Sequence, residues 1–132
     1  MRVLLATKHS DLRLALEVLL GEEPGVIVIG AVSETEGLRA LLRITRPDLV
    51  LLDWDLPGRP LDDLLSESHV LDQHPCFIVL GKHSDARQVA LNAGADAFVI
   101  QGDPPRDLLN AFRNIRSRCV EESDRPSGSM RR

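Results

Sequence analysis

Five short runs rich in Val, Ile and Leu recur along the chain: RVLLAT from Arg2, VIVIGAV from Val26, DLVLLD from Asp48, CFIVLG from Cys76 and DAFVIQ from Asp96. They are mostly apolar without alternation, so each predicts a strand buried on both faces. A sheet of such strands has to be covered on both sides. The intervening segments supply the cover, with apolar residues at helical spacing. They carry Leu12, Leu16 and Leu19, then Leu38, Leu41 and Leu42, then Leu61, Leu64, Leu65 and Leu71. Ala86, Val89, Ala90 and Ala93 follow, and Leu108, Leu109, Phe112 and Ile115 close the series. Regular β–α alternation with short connections predicts an α/β fold with right-handed crossovers. The expected architecture is a doubly wound five-stranded parallel sheet of flavodoxin-like order 2-1-3-4-5, helices on both faces. Val50, Leu51, Leu52, Ile78, Val79 and Val99 should lie in its interior. Ser10 or Asp11 can cap the first helix, and Asp103 with Pro104 opens the last as an N-cap and first-turn proline. Gly21, Pro47 and Gly94 fall where helices stop.

The 132 residues suit one domain, expected over 1–117, with a polar tail or linker over 118–132 (RCVEESDRPSGSMRR). A formal net charge of −4 argues against a whole-surface electrostatic grip on nucleic acid. No apolar run approaches the roughly 20 residues of a membrane span, and the start lacks the long apolar stretch of a signal peptide. Two cysteines, Cys76 and Cys119, are too few for a disulfide scaffold and suit reduced thiols in a cytoplasm. No Ser-His-Asp or Cys-His set stands out, so catalysis is not expected.

In a sheet of this order, ligands bind at the carboxyl ends of the strands, where strands one and three part. Those ends carry Thr7 and Lys8, Asp53, Gly81, and Gln101. Asp53 opens the run Asp53-Trp54-Asp55-Leu56-Pro57-Gly58. Its position at the rim suits a functional carboxylate and suits equally a loop-capping aspartate bonded to nearby amides.

RPDLVLLDWDLPG around Asp53, NAGADAFVI from Asn92 to Ile100, and PPRDLLNAF at the start of the last helix carry a family resemblance. From Met1 to about Ser117 the chain resembles the receiver domain of bacterial two-component response regulators, particularly the class with a C-terminal helix-turn-helix output domain. The resemblance makes Asp53 the phosphoacceptor position. It implies two acidic residues after strand one and a backbone carbonyl that, with the aspartate, hold Mg²⁺. It further implies a lysine after strand five, a Ser or Thr after strand four that bonds the phosphoryl group, and an aromatic switch residue in strand five.

Here the sequence departs from that pattern. Thr7 and Lys8 stand in place of the acidic pair, Gly81 in place of the hydroxyl, and Gln101 in place of the lysine. Asp53 remains, with Asp55 available to offer its carbonyl and Phe98 at the aromatic position. The Lys8 ammonium is expected where the metal would sit, unless the side chain points into solvent. A Lys8–Asp53 pair about 4 Å apart would gain roughly 4 kcal/mol at an effective dielectric of 20, before desolvation. Without a hydroxyl at Gly81 to drive it, Phe98 is expected to pack in the core.

Trp54 is expected half-exposed at the rim, with His9 and His83 flanking the crevice. His69 and His74 are five apart and do not stack on one helical face, which argues against zinc. Leu14 and Val18 lie off the first helix's core stripe and suggest a contact surface. Arg113 and Arg116 read by themselves as a solvated face near the C-terminus of the last helix, and only the family resemblance implies that this helix joins the contact surface. The expected function is that of a pseudo-receiver: a signalling and interaction module working without Mg-dependent aspartyl phosphorylation and without a cofactor. Its partner would be a protein or a second copy, with a DNA-binding output domain if the chain is a fragment. The alternatives are a phosphoacceptor receiver using Asp53 with Mg²⁺, and a flavodoxin-like domain binding a small ligand at the switch point. TKHSD after strand one offers that ligand only Thr7 and Ser10.

Overall fold

A computed structural model describes residues 1–58, 60–68 and 75–124. The elements run β1 (Arg2–Ala6), α1 (Ser10–Gly21), β2 (Ile27–Val32), α2 (Thr35–Thr45), β3 (Leu49–Asp53), α3 (Leu61–Ser68), β4 (Cys76–Gly81), α4 (Ala86–Ala93), β5 (Ala97–Ile100) and α5 (Pro105–Asp124). All strand pairs are parallel, in the order β2-β1-β3-β4-β5. The predicted sheet is the one observed. Each strand begins within one residue of its apolar run.

Successive residues of a strand face opposite sides, so every central strand contributes to two cores. Leu4, Val50, Leu52, Phe77 and Val79 pack beneath α2, α3 and α4 through Leu38, Leu42, Leu64, Leu65 and Ala90. Leu5, Leu49, Leu51, Ile78 and Val99 pack beneath α1 and α5 through Leu16, Leu20, Leu108, Phe112 and Ile115. All six residues expected in the interior are buried. No described helix is long and apolar enough to cross a membrane.

Helix ends differ from expectation in three places. His9 occupies the N-cap of α1 and makes no side-chain cap bond, so neither Ser10 nor Asp11 caps it. Helix α5 starts at Pro105, one residue later than expected. Proline at that first helical position lacks only an N–H that would be unpaired anyway. The same helix runs on to Asp124 and takes in the start of the polar stretch from Arg118. Extending a formed helix needs no new nucleus, and Arg and Glu propagate it without an apolar stripe. His69, His74, Leu71 and residues 125–132 lie outside the described residues, as does the side chain of Cys119.

The loop after β3 is tied to α2. The Thr35 N–H donates to the Pro57 carbonyl at 3.0 Å, and Gly58 turns beside it with φ of 120°. A Cβ at residue 58 would overlap the Thr35 hydroxyl and sit 3.1 Å from Thr35 Cβ. Thr35 is fully buried and cannot withdraw. Gly58→Ala should therefore cost about 1–3 kcal/mol through overpacking and a left-handed backbone. Urea unfolding would show it as a lower midpoint with an unchanged slope.

Candidate functional site

Strand register brings the pocket together. Ala6 ends β1 opposite Leu52, so Thr7 falls alongside Asp53, while Asp53 itself pairs with Leu80 of β4. Gly81 pairs with Ile100, and the Gln101 N–H donates to the Gly81 carbonyl at 2.8 Å. Asp53, Thr7, Gly81 and Gln101 thus meet at the carboxyl edge of the sheet, as expected.

The Asp53 side chain is completely buried. Its carboxylate is held from three directions. The Thr7 hydroxyl donates to Oδ2 at 2.7 Å, the Asp55 N–H to Oδ1 at 2.9 Å, and the Gln101 side-chain amide to Oδ1 at 3.3 Å. The same Gln101 nitrogen lies 3.4 Å from the Leu80 carbonyl. Thr7 is itself 5% exposed, and its oxygen accepts from the His9 N–H at 3.1 Å. Trp54, partly buried as expected, donates its backbone N–H to the Leu80 carbonyl at 2.8 Å. These bonds fix the β3 end rigidly. They also combine the two readings of Asp53, because the carboxylate at the site is bonded to an amide of its own loop.

Lys8 does not enter the pocket. It is exposed and makes no ion pair with Asp53. Thr7 turns inward to bond the carboxylate, so the next residue turns outward, where its ammonium keeps its hydration. The cation that does approach the loop is Lys82, 3.3 Å from the Asp55 carboxylate on the half-exposed rim. Such a rim pair contributes about 0–1 kcal/mol. Of the basic side chains described, His9 instead approaches Asp53, its Nε2 3.9 Å from Oδ2. That nitrogen is buried and has no hydrogen-bond partner among the described residues. His83 is exposed.

Phe98 fills the space beside Gly81. A Cβ at residue 81 would come within 2.8 Å of Phe98 Cε1 and closer still to Cζ. The ring is 6% exposed, belongs to the core under α4, and carries the Arg87 guanidinium 5.2 Å from its centroid. Phe98 packs inward, as expected.

On the helices, Leu14 and Val18 are exposed. Arg113 and Arg116 have work within the chain that the sequence alone did not indicate. Arg113 donates to Glu23 through Nε at 3.2 Å and Nη2 at 2.9 Å, and Arg116 lies over Gly25. Arg113 fastens α5 to the α1–β2 loop, and Arg116 packs against that loop.

Thr7→Val tests the central bond. The swap keeps the shape but leaves a buried carboxylate short of its closest donor, at about 1–3 kcal/mol. The same change in an Asp53→Asn background should cost less, and this double-mutant cycle isolates the bond.

The sequence profile of the response regulator receiver domain matches residues 3–113. Fimbriae Z protein of Salmonella typhimurium is 31% identical over 117 residues, covering 87% of this chain and 56% of that protein. Nitrate/nitrite response regulator protein NarL of Escherichia coli is 32% identical over 114 residues, covering 83% of this chain and 52% of that protein. The chain spans about half the length of the curated relatives it matches. Among solved structures, the response regulatory domain of mrkE from Klebsiella pneumoniae superposes with a TM-score of 0.84 at 12% identity, covering 92% of this chain and 99% of that one. The receiver domain of NarL from Mycobacterium tuberculosis gives 0.78 at 20% identity, covering 86% and 93%. With its sheet order, its aspartate at the end of β3 and its matched length, the chain belongs to the response regulator receiver domain family.

Proposed function

We propose that this receiver domain is a protein-interaction module whose state is not set by magnesium-dependent phosphorylation of Asp53. The observation that carries the reading is the filled condition of the Asp53 carboxylate. Both its oxygens are bonded by neutral donors, from Thr7, Asp55 and Gln101, with solvent excluded. Mg²⁺ asks for near-octahedral oxygen ligation built from carboxylates and retained waters. Around Asp53 it would meet a hydroxyl, a carboxamide and an imidazole, while the Asp55 carboxylate faces Lys82. These residues do not fit the metal. Gln101 also offers a neutral dipole where phosphoryl transfer needs positive charge.

On this reading the domain is a pseudo-receiver, not an enzyme, and works in the cytoplasm without a cofactor. Its partner is a protein or a second copy. Were the chain part of a longer regulator, a DNA-binding output domain would be the natural attachment. RcsB of Salmonella enterica, whose receiver fold is similar, has been solved bound to promoter rprA.

Trp54 adjoins Asp53 and reports on the pocket. Millimolar Mg²⁺ should leave its emission and the Asp53 and Asp55 amide shifts unchanged. A saturable shift in either signal would favour the phosphoacceptor reading instead.

A further inference from the structure

We propose that the face formed by the end of α2 and the start of edge strand β2 docks an acidic amphipathic helix of a partner protein. The inference rests on the reading that the domain signals by protein contact, and it gives the chemistry of the partner. Strand β2 ends the sheet beside β1, and Ile27 pairs with Arg2 in register, so their side chains leave the sheet on one side. That is the α2 side, because Arg2 donates through Nη1 to the Arg46 carbonyl at 3.1 Å, just past the end of α2. Along the same helix Leu41 approaches Gly30 of β2, and Ile44 follows it toward the end that Arg2 reaches. Ile44 and Ile27 are 75% and 63% exposed, an apolar pair on one face of the molecule.

The charge beside them is not used within the chain. Arg43 and Arg46 are exposed and make no ion pair among the described residues. The acids of this region are engaged: Asp48 accepts the Arg2 N–H at 2.7 Å, and Glu36 lies 3.8 Å from Arg39. A cation in a last helical turn suits the helix dipole, which accounts for Arg43. It does not account for Arg46. That residue caps α2 in the left-handed region at φ 47°, the one non-glycine with positive φ among the described residues. Glycine or asparagine would take the position with less strain. A strained surface arginine with no ion pair in the chain points to a contact outside it, and Arg2 and Arg43 stand beside it.

Guanidiniums select carboxylates, and the two isoleucines select an apolar stripe. Nucleic acid offers phosphates but nothing for Ile27 and Ile44, and the net charge of −4 opposes a polyanion at long range. Strand addition suits the edge poorly, because β2 bulges at Ile29: Val3 pairs with Val28, and Leu4 with Gly30. An amphipathic helix meets both demands. Its apolar stripe rests on Ile27 and Ile44, and glutamates one turn apart on its flank reach Arg43 and Arg46.

Fluorescence anisotropy on the full chain tests this with a labelled helical peptide of leucine, alanine and glutamate, its glutamates one turn apart along one flank. The peptide should bind saturably, and more weakly as salt rises. Arg43→Glu with Arg46→Glu, and separately Ile44→Asp, should each weaken binding roughly tenfold or more with an unchanged fold by circular dichroism. Arg46→Gly is the sharper variant: relief of the left-handed strain should raise the urea midpoint while binding falls. Absence of saturable binding would overturn the proposal, as would binding indifferent to these substitutions. So would a lower midpoint in Arg46→Gly, or a single-stranded oligonucleotide that binds this face more tightly than the peptide. Labelling of Asp53 by a phosphodonor is a separate measurement: it would overturn the phosphorylation-independent reading and would leave the peptide titration to decide this face.

Discussion

Acetyl phosphate and similar small donors should leave Asp53 unlabelled, and Asp53→Asn should leave the biological output intact. An aspartate oxygen is a weak nucleophile that needs its electrophile positioned and the developing charge offset. Here both carboxylate oxygens already accept hydrogen bonds, and the side chain has no exposed surface. Each missing electrostatic contact at such a centre costs about 3 kcal/mol, roughly two orders of magnitude in rate. Two carboxylates, a lysine and a hydroxyl separate this pocket from one equipped for the chemistry. Their effects are not additive, yet together they should suppress transfer. Asp53→Asn keeps the volume, and the Thr7 hydroxyl can turn from donor to acceptor toward the new amide. The converse experiment has the larger effect. Thr7→Asp and Lys8→Asp with Gln101→Lys should confer Mg²⁺-dependent labelling detectable by intact-mass measurement. Rapid labelling of the unmodified protein would promote the phosphoacceptor reading.

Fold and site were legible to different degrees, for physical reasons. The strands could be placed because burial on both faces demands unbroken apolar runs, as in RVLLAT and CFIVLG. That Asp53, Gly81 and Gln101 meet followed from sheet order alone. Whether Thr7 or Lys8 turns inward depended on the register of β1 against β3, which no local pattern reveals. The ion pair expected of Lys8 failed on that point, and His9 took the place beside Asp53. A lone loop histidine carries no signal of its own. Arg113 likewise looked like a solvated cation, because its partner Glu23 is 90 residues away in sequence. The extension of α5 to Asp124 carries no apolar periodicity in the sequence, and a helix already formed needs none to propagate.

Gly81→Thr should be destabilising by about 1–3 kcal/mol, although it only installs the hydroxyl that the family resemblance implies there. The reason lies across the β4–β5 ladder. Phe98 pairs with Val79, and its ring leans over Gly81 so closely that even a methyl group at 81 would collide with it. The ring cannot shift deeper, because Ala90, Ala95 and Val79 of the same core are already packed there. It can only leave, losing its burial and the guanidinium of Arg87. Glycine at 81 and an inward Phe98 are thus two halves of one packing solution. Phe98→Leu alone should cost up to about 1.5 kcal/mol. Combined with Gly81→Thr, it should give a loss smaller than the sum of the two by about 1 kcal/mol or more. Denaturant unfolding of the four proteins supplies the cycle, and ring contacts by NMR report whether Phe98 has turned out in Gly81→Thr. Full stability in the single variant, with the ring still buried, would break the link between these residues. If the link holds, the hydroxyl cannot be regained by one substitution, and any route back to a phosphate-responsive receiver has to change Phe98 as well.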